Sequence, residues 1–170
     1  MQTTDEVAFK KFTAVPKRVD RFVRKLGLVV EWSTPRDDVK YTWDGHVLRP
    51  VPDCIEMQLH DVAHWIVASA WRRRCVEFGI GSDPYRDSDA HFTVTYNFAE
   101  REEYFTCEVQ ICLAIWLRLR LRLVLDGVSM NHEKLSKSHI SRIKGLGIIP
   151  TKDMPRILRK LQRLHMLSRQ

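Results

Sequence analysis

Two histidines four residues apart, His60 and His64, are the feature that most constrains this chain of 170 residues. On an α-helix, positions i and i+4 lie on one face with their Cβ atoms about 5–6 Å apart. Two imidazoles placed in this way can bind one metal ion, each nitrogen lying about 2.0–2.1 Å from it. Asp61 directly follows the first histidine and is a candidate catalytic carboxylate. The motif therefore predicts a metal site on a helix.

The residues around the two histidines have the hydrophobic pattern of an amphipathic helix. Asp53 can cap its N-terminus. An apolar stripe at helical period follows, made of Ile55, Leu59, Val62, Ala63, Ile66 and Val67. The histidines lie at the margin of this stripe, where a site is both walled by apolar groups and open to water. A metal-binding histidine also needs an acceptor for its other ring N–H, and we expect Glu56 or a backbone carbonyl to serve.

The rest of the chain predicts more helix than strand. Helices are predicted at 16–27, 100–125, 131–144 and after Thr151, and strands at 28–32, 39–43, 46–48 and 91–96. Asp44-Gly45 is typical of a hairpin turn. The expected fold class is α+β, a mainly helical domain with a small antiparallel sheet or hairpin packed on the metal-site helix.

Positive charge is concentrated at the C-terminal end of the chain. The net charge is +7, and residues 126–170 carry ten Lys or Arg against three Asp or Glu, which accounts for all of it. We therefore divide the chain into a metal-binding domain with an N-terminal helix, 1–125, and a basic helical extension packed on the same domain, 126–170. Arg156, Arg159 and Lys160 are candidates for binding an acidic partner, protein or nucleic acid. A solvated basic face is the alternative.

The cysteines and the apolar segments indicate a cytoplasmic protein without membrane spans. The four cysteines form no CxxC pair, so we interpret them as reduced thiols, with zinc ligation as the alternative. No apolar run reaches the roughly 20 residues that a membrane-spanning helix requires. The N-terminal residues lack the basic-then-apolar order of a secretory signal.

Several short segments, in order, resemble those of the elongation factor P hydroxylases. They are the helix segment LHDVAHWIVA at 59–68, the basic pair Arg72-Arg73, Phe78-Gly79, and an acidic helix start near Glu102. That family has an HExxHW-like helix, a basic pair, an FG turn and a downstream Glu that enters a helix. The resemblance covers roughly residues 40–115 and does not extend to the basic C-terminal region.

The resemblance implies a zincin-like arrangement in which His60, His64 and Glu102 hold the metal, with Glu103 as the alternative third ligand. It also implies oxygen-dependent hydroxylation of a modified lysine on a translation factor, and therefore iron. From the residues alone, two histidines and a carboxylate suit a catalytic zinc or a non-haem iron equally well.

Asp61 replaces the Glu of the HExxH motif. In a hydrolytic zincin that Glu must reach the metal-bound water to act as a base. Asp is one methylene shorter, which withdraws the carboxylate by about 1.5 Å, and errors of about 1 Å can lower a rate on the order of 100-fold. The change weakens a metallopeptidase interpretation more than a hydroxylase one, and leaves a non-catalytic binding protein equally tenable. Metal identity, substrate and oligomeric state do not follow from the sequence.

Overall fold

A computed structural model describes residues 17–31, 42–49, 55–81, 93–119 and 135–164, except for the side chains of 55–57. The helices are α1 (Lys17–Leu26), α2 (Ile55–Val67), α3 (Tyr96–Trp116), α4 (Lys137–Gly145) and α5 (Met154–Arg163). The strands are β1 (Val29–Val30) and β2 (Val47–Leu48), and short 3-10 helices span Arg72–Arg74, Val76–Gly79 and Thr151–Asp153. The described part of the chain is thus mainly helical with a small sheet, in agreement with the α+β expectation.

Helices α2 and α3 pack against each other and form the centre of the fold. They run antiparallel, because His60 contacts Gln110 whereas Arg72, just after α2, contacts Glu102. Both helices contribute buried apolar side chains, namely Leu59, Val62, Ala63, Phe105, Val109 and Leu113. Burying each of these side chains other than Ala63 contributes about 1.5–3 kcal/mol, so the packing of α2 on α3 stabilises the side chains that lie between the two helices.

The other helices pack on α3. The Phe22 ring of α1 meets Trp116 edge-on, with centroids 5.2 Å apart. The Arg142 guanidinium of α4 lies 3.8 Å from the centre of the Phe105 ring. Arg156 of α5 donates hydrogen bonds to the carbonyls of Ile115 and Trp116. The two C-terminal helices therefore pack on the helix that carries Glu103, while the proposed boundary at 125/126 lies outside the described residues.

The prediction of an antiparallel sheet is wrong for the main strand pair. β1 and β2 pair in parallel, Val29 with Val47 and Val30 with Leu48. The segment between them is long enough to bring the chain back in the same direction, which a two-residue hairpin cannot do. An antiparallel bridge between Trp43 and Leu48 spans the predicted Asp44-Gly45 turn, and the predicted strand residues 39–41 lie outside the described ranges.

Helix α3 also differs from its prediction at both ends. It begins at Tyr96, so the prediction of a strand at 91–96 is wrong for the described residues 93–96. It ends at Trp116 rather than continuing to 125, because Arg118 adopts a left-handed conformation with φ of 57°. The Leu119 N–H then donates to the Ala114 carbonyl, as in the Schellman helix end. Residues 120–125 lie outside the described part of the chain.

Within the described ranges, none of the helices combines the length and the apolar character that a membrane-spanning helix needs.

Candidate metal centre

Three candidate ligand residues, His60, His64 and Glu103, converge between α2 and α3. Nε2 of His60 lies 3.0 Å from one carboxylate oxygen of Glu103, and Nε2 of His64 lies 3.0 Å from the other. The two Nε2 atoms are themselves 3.0 Å apart. The i, i+4 spacing therefore places both imidazoles on the α2 face that meets α3, as the sequence predicted.

Two buried polar residues of α3 hold the imidazoles by contacts at their Nδ1 atoms, on the side away from Glu103. Nδ1 of His60 lies 3.0 Å from Oε1 of Gln110, and Nδ1 of His64 lies 3.4 Å from the Thr106 hydroxyl. Gln110 is 1% exposed and Thr106 is completely buried. When the Nδ1–H of His60 donates to the Gln110 carbonyl, Nε2 faces Glu103, and once Nε2 loses its proton it can offer a lone pair to a metal. The predicted acceptor Glu56 has its side chain outside the described set, so Gln110 is the acceptor that the structure assigns.

The structure separates the two adjacent carboxylates, Glu102 and Glu103. Glu102, the third ligand that the resemblance implies, forms a buried ion pair with Arg72. Glu103, its alternative, lies at the two histidines. Consecutive residues of a helix point about 100° apart, so only one of them can face α2 at this point.

Cys107 adds a sulfur donor beside this triad. Its Sγ lies 3.8 Å from Oε1 of Glu103, and it groups with His60 and Glu103 so that all three donor atoms lie within 4.8 Å of one another. The thiol follows Glu103 by four residues, so the α3 pair Glu103 and Cys107 mirrors the α2 pair His60 and His64. The sequence analysis interpreted the cysteines as reduced thiols with zinc ligation as the alternative, and it did not single out the spacing of Glu103 and Cys107, which the sequence shows.

An aromatic stack forms one wall of the site. The Phe78 ring lies parallel to His64, with centroids 5.7 Å apart, and Trp43 stacks on Phe78 at 5.3 Å. Glu77 and Phe78 both have positive φ, 46° and 54°, a conformation that non-glycine residues rarely adopt. The Glu77 carboxylate holds this turn because it accepts hydrogen bonds from the N–H groups of Thr42 and Trp43.

The charges of the triad are strongly coupled. Burial alone would lower the pKa of His60, but hydrogen bonds with Cys107 and Glu103 and the Glu103 charge hold this pKa well above its ordinary value. Burial and the neighbouring His60 lower the pKa of His64. Burial would raise the pKa of Glu103, yet its hydrogen bonds with both histidines shift it far below its usual range. Without a metal, the triad therefore holds a proton on His60, a neutral His64 and an ionised Glu103.

The site is open to solvent on its α3 side. The side chain of Glu103 is 43% exposed, whereas those of His60 and His64 are 17% and 9% exposed. The two imidazoles and the carboxylate face one point, and Gln110 and Thr106 hold the imidazoles on the buried side. This group can bind a cation, and its solvent-exposed side leaves room for a further ligand.

The remaining predicted site residues lie in different surroundings. Asp61 is 7% exposed and lies on α2, about 100° around the helix from His60. Arg156 donates hydrogen bonds from both of its terminal nitrogens to carbonyls at the end of α3. Arg159 and Lys160 are exposed on α5. The structure thus brings His60, His64 and Glu103 together and places the basic candidates on a separate element.

Comparison with known proteins found no match: no family model, no curated protein and no solved structure is similar to this chain.

Proposed function

We propose that this protein is a metal-dependent, hydroxylase-like enzyme in which His60, His64 and Glu103 hold one transition metal ion, with iron favoured. The observation that carries the proposal is the convergence of the two Nε2 atoms, 3.0 Å apart, on the Glu103 carboxylate, each Nε2 lying 3.0 Å from one of its oxygens. This assignment keeps the two histidines that the sequence indicated and replaces Glu102 by Glu103 as the carboxylate.

Donor atoms about 3.0 Å apart are close enough to bind the same metal ion. Donors about 2.1 Å from a metal lie about 3.0 Å apart when the angle between them is 90°, and about 3.4 Å apart at the tetrahedral angle. Two histidines and one carboxylate on an octahedral face are the ligand set of non-haem iron oxygenases, which keep the opposite positions open. The 3.0 Å spacing is also that of the hydrogen bonds that join these groups without a metal. The preference for this class over a tetrahedral zinc hydrolase therefore rests on Asp61 and on the resemblance to the elongation factor P hydroxylases.

The chain's own residues would bind the metal and orient its ligands, while the bound iron would carry out the chemistry with molecular oxygen. Gln110 and Thr106 orient the imidazoles, and the Phe78 ring excludes water from the inner side of His64. The exposed Glu103 side leaves a route for a large substrate such as a side chain of another protein. A translation factor is the substrate class that the resemblance to the elongation factor P hydroxylases suggests.

Metal analysis of freshly purified, unchelated protein tests this proposal. We expect close to one iron per chain after anaerobic loading with Fe²⁺, and a loss of at least tenfold in affinity for His64→Ala. The matched control is His46→Ala, since His46 is an exposed histidine outside the site. Binding that is absent in the natural chain, or that is equal in the two variants, contradicts the proposal.

Cys107 favours a second candidate, a closed zinc site in a non-catalytic binding protein. A thiolate joined to nitrogen and oxygen donors suits tetrahedral zinc, and a site with four protein ligands leaves no position for substrate. Substituting Co²⁺ distinguishes the two candidates, since a bound thiolate produces intense charge-transfer absorption that Cys107→Ser removes. We expect no such absorption, because the Sγ atom lies farther from Glu103 than the two imidazole nitrogens do.

A further inference from the structure

A cavity of about 370 Å³ lies between the C-terminal end of α3 and one face of α5, apart from the candidate metal centre. Its lining consists of Ile115, Arg118 and Leu119 from the end of α3, and Arg156, Arg159, Lys160 and Arg163 from α5. This volume is within the range of about 300–1,000 Å³ that small-molecule sites have. From Glu103 to Ile115 is twelve residues of α3, about 18 Å at 1.5 Å per residue, so the two sites are separate.

The lining is strongly cationic. Five of its seven side chains are Arg or Lys, and none of the described residues that line it is acidic. The four α5 cations follow the i, i+3, i+4, i+7 pattern, which places them on one face of the helix. Like charges in this arrangement repel one another, so the cluster costs stability unless an anion neutralises it.

One of these cations already has partners, and the others face the cavity without a carboxylate among the described residues. Arg156 donates to the carbonyls of Ile115 and Trp116, where it offsets the partial negative charge at the end of α3. No described acidic side chain forms an ion pair with Arg118, Arg159 or Arg163. Their guanidinium groups are available to bind an anion through paired hydrogen bonds, the geometry that phosphate favours.

The backbone conformation of Arg118 also indicates that this cavity binds an anion. Arg118 occupies the position after a helix end that glycine usually fills, with φ of 57°. For a residue with a side chain this conformation costs on the order of 1 kcal/mol. A glycine would avoid that cost but would remove a cation from the cavity. Strained residues of this kind concentrate at binding sites.

We propose that this cavity binds a compact organic anion that carries two or more phosphate groups. The lining cations other than Arg156 would bind the phosphates, and Ile115 and Leu119 would contact the organic part. A concave site of this size suits a small molecule better than a nucleic-acid backbone, which spreads its contacts over about 600 Å² or more.

Isothermal titration of the full chain tests the proposal with two probes, inorganic pyrophosphate and adenosine diphosphate. We expect both to bind, the nucleotide more tightly because of its organic part. Arg159→Gln/Lys160→Gln should weaken binding of both probes at least about tenfold, as two charge-assisted contacts are removed. The matched control is Arg74→Gln/Lys144→Gln, which removes the same two residue types from exposed positions outside the lining.

Three results would overturn this assignment. The first is the absence of binding of either probe at millimolar concentration. The second is an equal loss of affinity in the control, which would show a response to net charge alone. The third is single-stranded RNA that binds more tightly than both probes and loses affinity in the Arg159→Gln/Lys160→Gln variant, because the surface would then be a nucleic-acid interface.

Discussion

Arg72 and Glu102 form a buried ion pair, one residue along α3 from the carboxylate that meets the two histidines. Their side chains are only 6% and 4% exposed. Since neighbouring helical residues point about 100° apart, the rotation of α3 that directs Glu102 toward Arg72 also directs Glu103 toward His60 and His64. Arg72 thus pairs with one of the two adjacent acids, and only the other one, Glu103, reaches the candidate metal centre.

The two adjacent carboxylates should respond differently to the same change. Glu103→Gln removes an anionic ligand, so we expect metal affinity to fall at least about 100-fold while the fold persists. Glu102→Gln should retain most of the metal affinity in whatever fraction stays folded. Metal titration of both purified variants checks this expectation. A greater loss of affinity in Glu102→Gln would assign the ligand role to Glu102 instead.

Glu102 should matter for stability rather than for metal binding. Leaving Arg72 buried without its partner charge should lower the free energy of unfolding by about 3–5 kcal/mol in Glu102→Gln. The double change Arg72→Met/Glu102→Leu removes both charges and should recover most of this loss. Urea denaturation of the metal-free proteins measures both effects. A double variant no more stable than the single one would contradict the ion-pair explanation.

Gln110 should tune the metal centre without touching the metal. Gln110→Leu removes the acceptor for Nδ1 of His60, and we expect metal affinity to fall about 10–100-fold. Gln110→Glu keeps an acceptor at the same position and is the matched variant. Comparing dissociation constants for Co²⁺ shows whether an acceptor at position 110 restores the affinity that Leu removes. Similar affinities in Leu and Glu variants would refute the role of Gln110.

Metal binding should release a proton at neutral pH. The raised pKa of His60 means that the metal-free protein holds a proton that the metal must displace. Affinity should therefore fall about tenfold for each pH unit below this pKa. The folding stability of the metal-free protein depends on pH in the opposite direction, since it is greater at low pH. Protonated His60 stabilises the fold below pH 6.5, and this stability is lost as the pH rises through the folded pKa. Calorimetry in buffers of different ionisation enthalpy measures the number of protons that metal binding releases. A metal affinity that does not change with pH would contradict this prediction.

Two glycines with the same backbone conformation should differ in their tolerance of alanine. Gly79 and Gly147 have φ of 69° and 67°, but a Cβ on Gly79 would lie 2.1 Å from Oγ1 of Thr93, whereas Gly147 has nothing within 4 Å. Gly147→Ala should cost about 1 kcal/mol for its φ alone. Gly79→Ala should cost about 1–3 kcal/mol more, since Thr93 must move. Denaturation midpoints compare the two, and equal losses would exclude the steric explanation.

The helical periods of the sequence predicted α2, its histidine face and most of the helical content. They could not choose between Glu102 and Glu103, because both lie in the same predicted helix and the face that meets His60 and His64 depends on how α3 packs on the rest of the fold. The parallel strand pair depends on a long-range return of the chain, and local alternation carries no information about it. The apolar pattern continues past Trp116 through Leu117. The end of the helix at Trp116 therefore could not be predicted from the sequence, because it depends on the left-handed backbone conformation of Arg118.

The antiparallel pairing of α2 and α3 has a consequence for folding. A metal held by His64 and Glu103 joins positions about 40 residues apart, and in the chain-entropy model a cross-link of that span removes about 4 kcal/mol of freedom from the unfolded chain. The ion would thus act as a reversible staple whose strength depends on its free concentration. In a cell, the lifetime of the folded chain would then follow the supply of metal.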